Sequence, residues 1–463
     1  MAGFVTGPGQ HQTTAMKICL NDILFALSFA LDAVEHELLG VSTNHGKRAA
    51  LLATMVGSRM GLSGDELTDL ACCAILHDNA LTEYIQAREL ASLNNSAEDP
   101  ELDRAHCTLG ENNITLLPWR CNITNVILYH HENADGSGPF GKNWQETPIM
   151  AQLVRLGDVI DARFNLDHVD SYKYQLVTDF LKSMSGQIFT REMGEAASEV
   201  LTEDFLKSLN SGSLDQLISK TVPSRTEDLG LEEVRKIALL FARITDYKST
   251  FTSTHSLGVA QKSELMARHY GWDDEKTTRF FFAGALHDIG KLIVSNDILE
   301  KPARLTNEEF AMMQNHAFYT YVILRKINGM SDITAWASHH HEKLDGTGYP
   351  FGMKGSQLSH EERLLTCIDV YQALREDRPY KQGFTHQKSI EIMSSMAKDG
   401  QIDSGIVDDM NEVFRNDTGG SDSARDPRNP ETLSENRAHK AESREFPPAF
   451  SVSEAPFRRL SGH

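Results

Sequence analysis

Apolar residues recur three and four positions apart over most of the chain up to about residue 415. "GKRAALLATMVGSRMGL" at 46–62 and "EVRKIALLFARITDYK" at 233–248 both follow this rhythm, which predicts amphipathic helices. Strict alternation of β-branched residues is scarce, so an all-α fold is expected. The apolar run "ICLNDILFALSFALDAV" at 18–34 is broken by Asp22 and Asp32 and reads as a buried or amphipathic helix, not a membrane span. From Asn416 the pattern stops. "NDTGGSDSARDPRNPETLSENRAHKAESRE" is polar and rich in Gly, Ser and Pro, and 416–463 is expected to be a disordered tail.

The helical part is written twice. "STNHGKRAALLATMVGSRMGLSGDELTDLACCAILHD" ends at Asp78 and "STHSLGVAQKSELMARHYGWDDEKTTRFFFAGALHD" ends at Asp288. His45, His77, Asp78, His106, His130 and His131 each recur 210 positions later, as His255, His287, Asp288, His316, His340 and His341. Asp158 recurs 211 positions later as Asp369, because "HHENADGSGPFG" at 130–141 lacks the tyrosine of "HHEKLDGTGYPFG" at 340–352. Two tandem helical domains follow, at 16–210 and 228–415, joined by a polar segment around 210–228. The two copies are expected to pack on each other, and a homodimer is compatible with the pattern.

Composition narrows the function. The 463 residues carry a net charge of −20, with 40% hydrophobic residues. That balance opposes binding to DNA, RNA or an anionic membrane. It leaves room for an anionic small molecule held by local cations. Six cysteines without CxxC spacing suit reduced thiols, and with no targeting or spanning segment seen, a cytoplasmic location is expected.

Ten of the 19 histidines fall in the repeated register, which makes ordinary structural histidines a poor account of them. Five imidazoles and two carboxylates suit a pair of first-row divalent metals. In the second copy His255, His287 and Asp369 would hold one metal and His316, His340 and His341 the other, with Asp288 bridging. The set is too large and too nitrogen-rich for a structural zinc site. Two metals about 4 Å apart clamp a phosphoryl group and generate a bridging hydroxide, so phosphoester hydrolysis is the reaction class.

"HDIGK" at 287–291, "HHEKLDGTGYP" at 340–350 and "IDVYQALREDRPYK" at 368–381 resemble the HD-GYP branch of the HD-domain phosphohydrolases, over essentially all of the second copy. The resemblance implies an all-helical HD-type fold in both tandem domains. It implies two divalent ions, iron or manganese, with magnesium or nickel as alternatives. The implied substrate is a cyclic dinucleotide, opened by hydroxide attack on a 3′–5′ phosphodiester. A degenerate first domain before an active second one looks like bacterial enzymes that degrade 3′,3′-cyclic GMP-AMP, which is favoured over cyclic di-GMP. A receptor that binds without cutting and a general nucleotidase are the other readings, and Lys291, Arg378 and the intact GYP phrase speak against them.

By the same resemblance Lys291 neutralises phosphate charge and helps protonate the leaving oxygen, with Asp288 as its catalytic neighbour. Arg378 and Lys381 match a phosphate-contacting pair. Tyr349 would be presented beside the substrate by a loop in which Gly346 and Gly348 permit positive φ. Some relatives place a third-metal glutamate four residues before the first histidine. Phe251 stands there, so two metals are expected. Where many relatives carry an acidic residue three after the last aspartate, this chain has Gln372.

The first copy keeps all seven ligand types, His45, His77, Asp78, His106, His130, His131 and Asp158, which form either a second, non-catalytic metal site or a retained set that holds no metal. It has Leu81 in place of Lys291, no tyrosine, and "VIDARFNLDHVD" in place of the "RPYK" stretch. Leucine can neither pair with phosphate nor donate a proton, so hydrolysis is expected from the second copy alone.

Overall fold

The computed structural model describes residues 15–39, 43–81, 104–210, 212–248, 255–301, 303–377 and 382–415. Phe251, Arg378, Lys381 and the tail 416–463 lie outside these residues. The first half runs β1 (Ala15–Cys19), α1 (Leu20–Leu39), α2 (His45–Arg59), α3 (Asp65–Ile75), α4 (Ala105–Ile114), α5 (Ile149–Phe164), α6 (Ser171–Met184), α7 (Arg191–Val200), α8 (Glu203–Ser208) and α9 (Leu214–Thr221). The second runs β2 (Thr226–Gly230), α10 (Leu231–Asp246), α11 (His255–His269), α12 (Asp274–Leu286), a 3₁₀ turn (Ile289–Ile293), α13 (Asn296–Leu299), α14 (Asn307–Leu324), α15 (Ser331–Ser338), a 3₁₀ turn (Gly355–Gln357), α16 (His360–Arg375), α17 (His386–Lys398) and α18 (Ser404–Val413). The fold is all-α, with one two-stranded sheet among the described residues. No described helix is long and apolar enough to cross a membrane.

Helix starts follow local chemistry. Thr306 and Ser359 each accept from the backbone N–H three residues on, while Glu309 and Glu362 bond back to the cap. Such a capping box satisfies two otherwise orphaned donors. The joining segment expected around 210–228 is itself structured. It holds α9, with Leu214 and Ile218 buried, and the start of β2.

Equivalent segments of the two copies meet at the sheet. Each strand precedes the first helix of its copy, and the two pair antiparallel, Ala15 with Gly230, Lys17 with Asp228 and Cys19 with Thr226. Antiparallel pairing of like with like is a local two-fold arrangement, here within one chain. Helix α1 continues the exchange by packing on α2 and α3 of its own copy and on the Ile289–Ile293 turn and α14 of the other. Leu20, Ile23, Leu24, Ala30, Leu31 and Val34 are buried on it, and so are Asn21, Asp32 and Glu35. The helix is thus enclosed on more than one face, and each buried Leu or Ile contributes about 1.5–3 kcal/mol. Asp32 accepts from the Gly46 N–H at 2.9 Å, tying α1 to the first turn of α2. Glu37 reaches across to the second copy, accepting from the Asn296 N–H at 2.7 Å, from Ser295 Oγ at 3.1 Å and from Lys248 Nζ.

Candidate metal centre and active site

Each copy packs the helix that opens on its first histidine against the helix that ends at its His-Asp pair, α2 on α3 and α11 on α12. In the second copy His255 begins α11, and His287 and Asp288 leave the end of α12. His316 lies on α14, His340 and His341 follow α15, and Asp369 lies on α16. All seven expected residues gather in one place. Asp288 faces two groups with its two oxygens: Oδ2 lies 3.2 Å from His287 Nε2 and 3.8 Å from His255 Nε2, and Oδ1 lies 3.3 Å from His316 Nε2 and 3.8 Å from His340 Nε2. Asp369 Oδ1 is 3.0 Å from His255 Nε2, and Oδ2 is 3.7 Å from His341 Nδ1.

The rings are aimed by backbone carbonyls. His287, His316 and His340 place Nδ1 2.7, 2.6 and 2.6 Å from the carbonyls of Gly284, Met313 and Ala337. A carbonyl can only accept, so Nδ1 carries the proton and the Nε2 lone pair turns inward. His287 Nε2 and Asp288 Oδ1 are buried with no hydrogen-bond partner. Buried orphans are costly, and a divalent cation between them would satisfy both, so the donor set fits metal.

The electrostatics of three of the rings agree, whereas His255 must give up a proton to bind metal. Burial lowers His316 to about 4 and His341 to about 3, and holds His340 well below the imidazole range, leaving these rings neutral ligands. Burial opposes ionisation of Asp288, but His287 and Lys291 outweigh it and hold the carboxyl well below its usual range. Burial also works against protonated His255, yet Asp369 and Glu376 raise it to about 10.

Lys291 stands on the 3₁₀ turn and donates from Nζ to Asp288 Oδ2. Gly290 makes this placement possible, because a Cβ there would lie 2.0 Å from the His316 carbonyl oxygen. Tyr349 sits with its ring centroid 4.7 Å from that of His341, so the loop touches the ligand cluster itself. Gly346 has φ of 83°, as expected. Gly348 does not have positive φ; glycine is required there because a Cβ would fall 2.4 Å from the Lys343 nitrogen. Glu342 organises the loop by accepting from the N–H groups of Phe351 and Met353 at 2.7 and 2.8 Å. In the first copy Glu132 does the same for Phe140 at 2.7 Å and for Lys142, so the loop scaffold survives the deletion.

The first copy also assembles its seven residues. Asp78 Oδ1 is 3.6 Å from His130 Nε2 and 3.8 Å from His106 Nε2, and Asp158 Oδ1 is 3.4 Å from His45 Nε2. His77 and His130 are aimed by the Ala74 and Ile127 carbonyls at 2.9 and 2.6 Å, and His131 Nε2 lies 3.0 Å from His106 Nε2. Leu81 is buried where Lys291 stands in the other copy. Arg155, in place of Thr366, lies 3.4 Å from Asp158 Oδ2.

Four residues were not singled out from the sequence. Glu376 holds His255 Nδ1 at 3.0 Å, the task that Asp161 performs for His45 at 2.8 Å. Glu35 is buried on α1 beside His77 and Asp78, which together could hold a cation. Cys107 lies with His106, His130 and His131. Burial pushes its thiol up, but His130 and His106 outweigh that and bring it to about 7. The available signals were an acidic residue one turn past Gln372 and a cysteine beside a repeated histidine.

Similar proteins fit this geometry. Residues 224–406 match the family model described as HD domain. The 3′3′-cGAMP-specific phosphodiesterase 1 of Vibrio cholerae serotype O1 is 29% identical over 403 residues, 85% of this chain and 91% of its own. The 3′3′-cGAMP-specific phosphodiesterase 3 of the same organism is 32% identical over 297 residues, 63% of each chain. A crystal structure of a cyclic GMP-AMP-specific phosphodiesterase of V. cholerae matches the fold with a TM-score of 0.61 at 24% identity, covering 86% of this chain and 98% of that one. The second half thus matches the HD-domain family model, and the first half repeats its pattern of histidines and aspartates.

Proposed function

We propose that the second copy is a metal-dependent phosphodiesterase that linearises a cyclic dinucleotide, with 3′,3′-cyclic GMP-AMP as the substrate. The observation that carries this reading is Lys291 Nζ on Asp288 at the rim of a seven-residue ligand cluster. The similarity to enzymes named for 3′3′-cGAMP supports the substrate. Two divalent ions, iron or manganese, held by His255, His287, Asp288, His316, His340, His341 and Asp369, would activate water and screen phosphate charge.

The chain's own groups do the rest. Asp288 holds Lys291 cationic against the opposing effect of burial. Nζ is therefore a fixed positive charge beside the phosphate and a weak acid, so charge neutralisation is its main role. Lys291 is 19% exposed and His341 29%, so the cluster opens to solvent on their side. Tyr349 borders that opening and offers a ring for stacking. Arg378 and Lys381 are assigned the remaining phosphate contacts. The first copy, with Leu81 and no tyrosine, is non-catalytic.

The test is to incubate the purified chain with Mn²⁺ or Fe²⁺ and each cyclic dinucleotide, then resolve the products. Linear pGpA or pApG is the expected product. Turnover to pGpG alone would reassign the substrate, and tight binding without turnover would replace the hydrolase reading by a receptor.

A further inference from the structure

Where the first copy has Cys107, the second has Ala317. Cys107 Sγ lies 3.3 Å from His106 Nε2, and that atom lies 3.0 Å from His131 Nε2. The donor atoms of Cys107, His106, His130 and His131 are all within 4.8 Å of one another. We propose that these four residues form a thiolate–imidazole centre for one borderline-soft divalent cation of the zinc type, so that the two copies take different metals. The inference stands apart from the hydrolase reading, because it concerns only donors of the first copy.

Three observations carry it. Around one tetrahedral cation with bonds of about 2.0–2.3 Å, neighbouring donors lie about 3.4–3.6 Å apart. The spacings of 3.0 and 3.3 Å are close to that edge. Next, His130 Nε2 is buried without a hydrogen-bond partner while its Nδ1 is committed to the Ile127 carbonyl. Its lone pair therefore points at the cluster with nothing to receive. Finally, Cys107 and His130 have no exposure and His106 only 8%, so the thiol is shielded from solvent and the cluster opens only at His131, which is 27% exposed.

The contrast between copies gives the metal class. The second copy offers only imidazole and carboxylate, a set suited to iron or manganese. Sulfur shifts the first toward softer ions. Arg155 adds a fixed cation beside Asp158, where the second copy has the neutral Thr366, so less metal charge is needed on that side.

The test uses the full chain stripped of metal and titrated with Co²⁺ alone. The wild type and a His287→Ala/Asp288→Ala variant should both show a thiolate-to-cobalt charge-transfer band in the near ultraviolet, and Cys107→Ser should lose it. Cobalt bound without that band in the wild type, or a band that survives in Cys107→Ser, overturns the proposal. Should Cys107→Ser fail to fold, X-ray absorption at the zinc edge of the zinc-loaded wild type decides. A sulfur neighbour at about 2.3 Å supports the centre, and a shell of only nitrogen and oxygen overturns it.

Discussion

The Nδ1 of His255 is held by Glu376 Oε2 at 3.0 Å, four residues past the position from which the first copy orients its own histidine. The two solutions are chemically matched. In the first copy Arg48 donates to Asp161, which holds His45. In the second, Gly258 replaces Arg48 and Gln372 replaces Asp161. Gln372 fills the vacated space, since a Cβ on Gly258 would lie 2.3 Å from its Nε2, and it donates to Glu376 at 2.7 Å. Glu376 is thus a positioning residue. Glu376→Gln should weaken metal binding by about 10- to 100-fold, the usual effect of removing an orienting carboxylate. Metal titration followed by calorimetry checks this, and unchanged affinity would remove Glu376 from the site.

The copies should respond unequally to the same lesion. His77→Ala/Asp78→Ala should leave hydrolysis largely intact, whereas His287→Ala/Asp288→Ala should abolish it. Lys291→Met should lower turnover by about 100-fold or more while metal content, read by elemental analysis, stays unchanged. The reverse pattern between the double variants would move the active centre to the first copy.

Glu37 should give the contact between copies a signature in acid. Burial raises its carboxyl, but Lys248, the Asn296 N–H and Ser295 outweigh it, and the folded pKa lies below the ordinary 4.5. A depressed carboxyl contributes stability that is present above the unfolded pKa and is lost as pH falls through the folded one. Glu37→Gln should therefore cost about 1–3 kcal/mol at neutral pH. The gap in Tm between variant and wild type should close as pH drops below about 4.5. Melting curves from pH 7 to 3.5 measure the gap, and a constant gap would show that the charge of Glu37 contributes nothing.

The helical class and the two sets of seven residues that gather were legible because they rest on periodicity and exact repetition. The histidines that had to stay could be read through the divergence around them. What escaped depends on partners far away in sequence. "TEDLG" looks like linker and becomes β2 only because β1 offers it an edge, since strand formation answers to neighbours more than to composition. Glu376 escaped because the repeat register points to Gln372, and the helix allows the same reach one turn later. Gly348 was assigned to the right loop for the wrong reason, because close approach of chain segments leaves no trace in a local pattern.

The cover that α1 lends to the Ile289–Ile293 turn bears on truncation. A fragment beginning near residue 228 would keep every expected ligand of the second copy. It would also cut into β2, remove the β1 edge that β2 pairs with, and bare the back of the turn that carries Lys291. The isolated half is therefore a poor surrogate for the whole, and the first half serves as a built-in scaffold that cannot be diluted away.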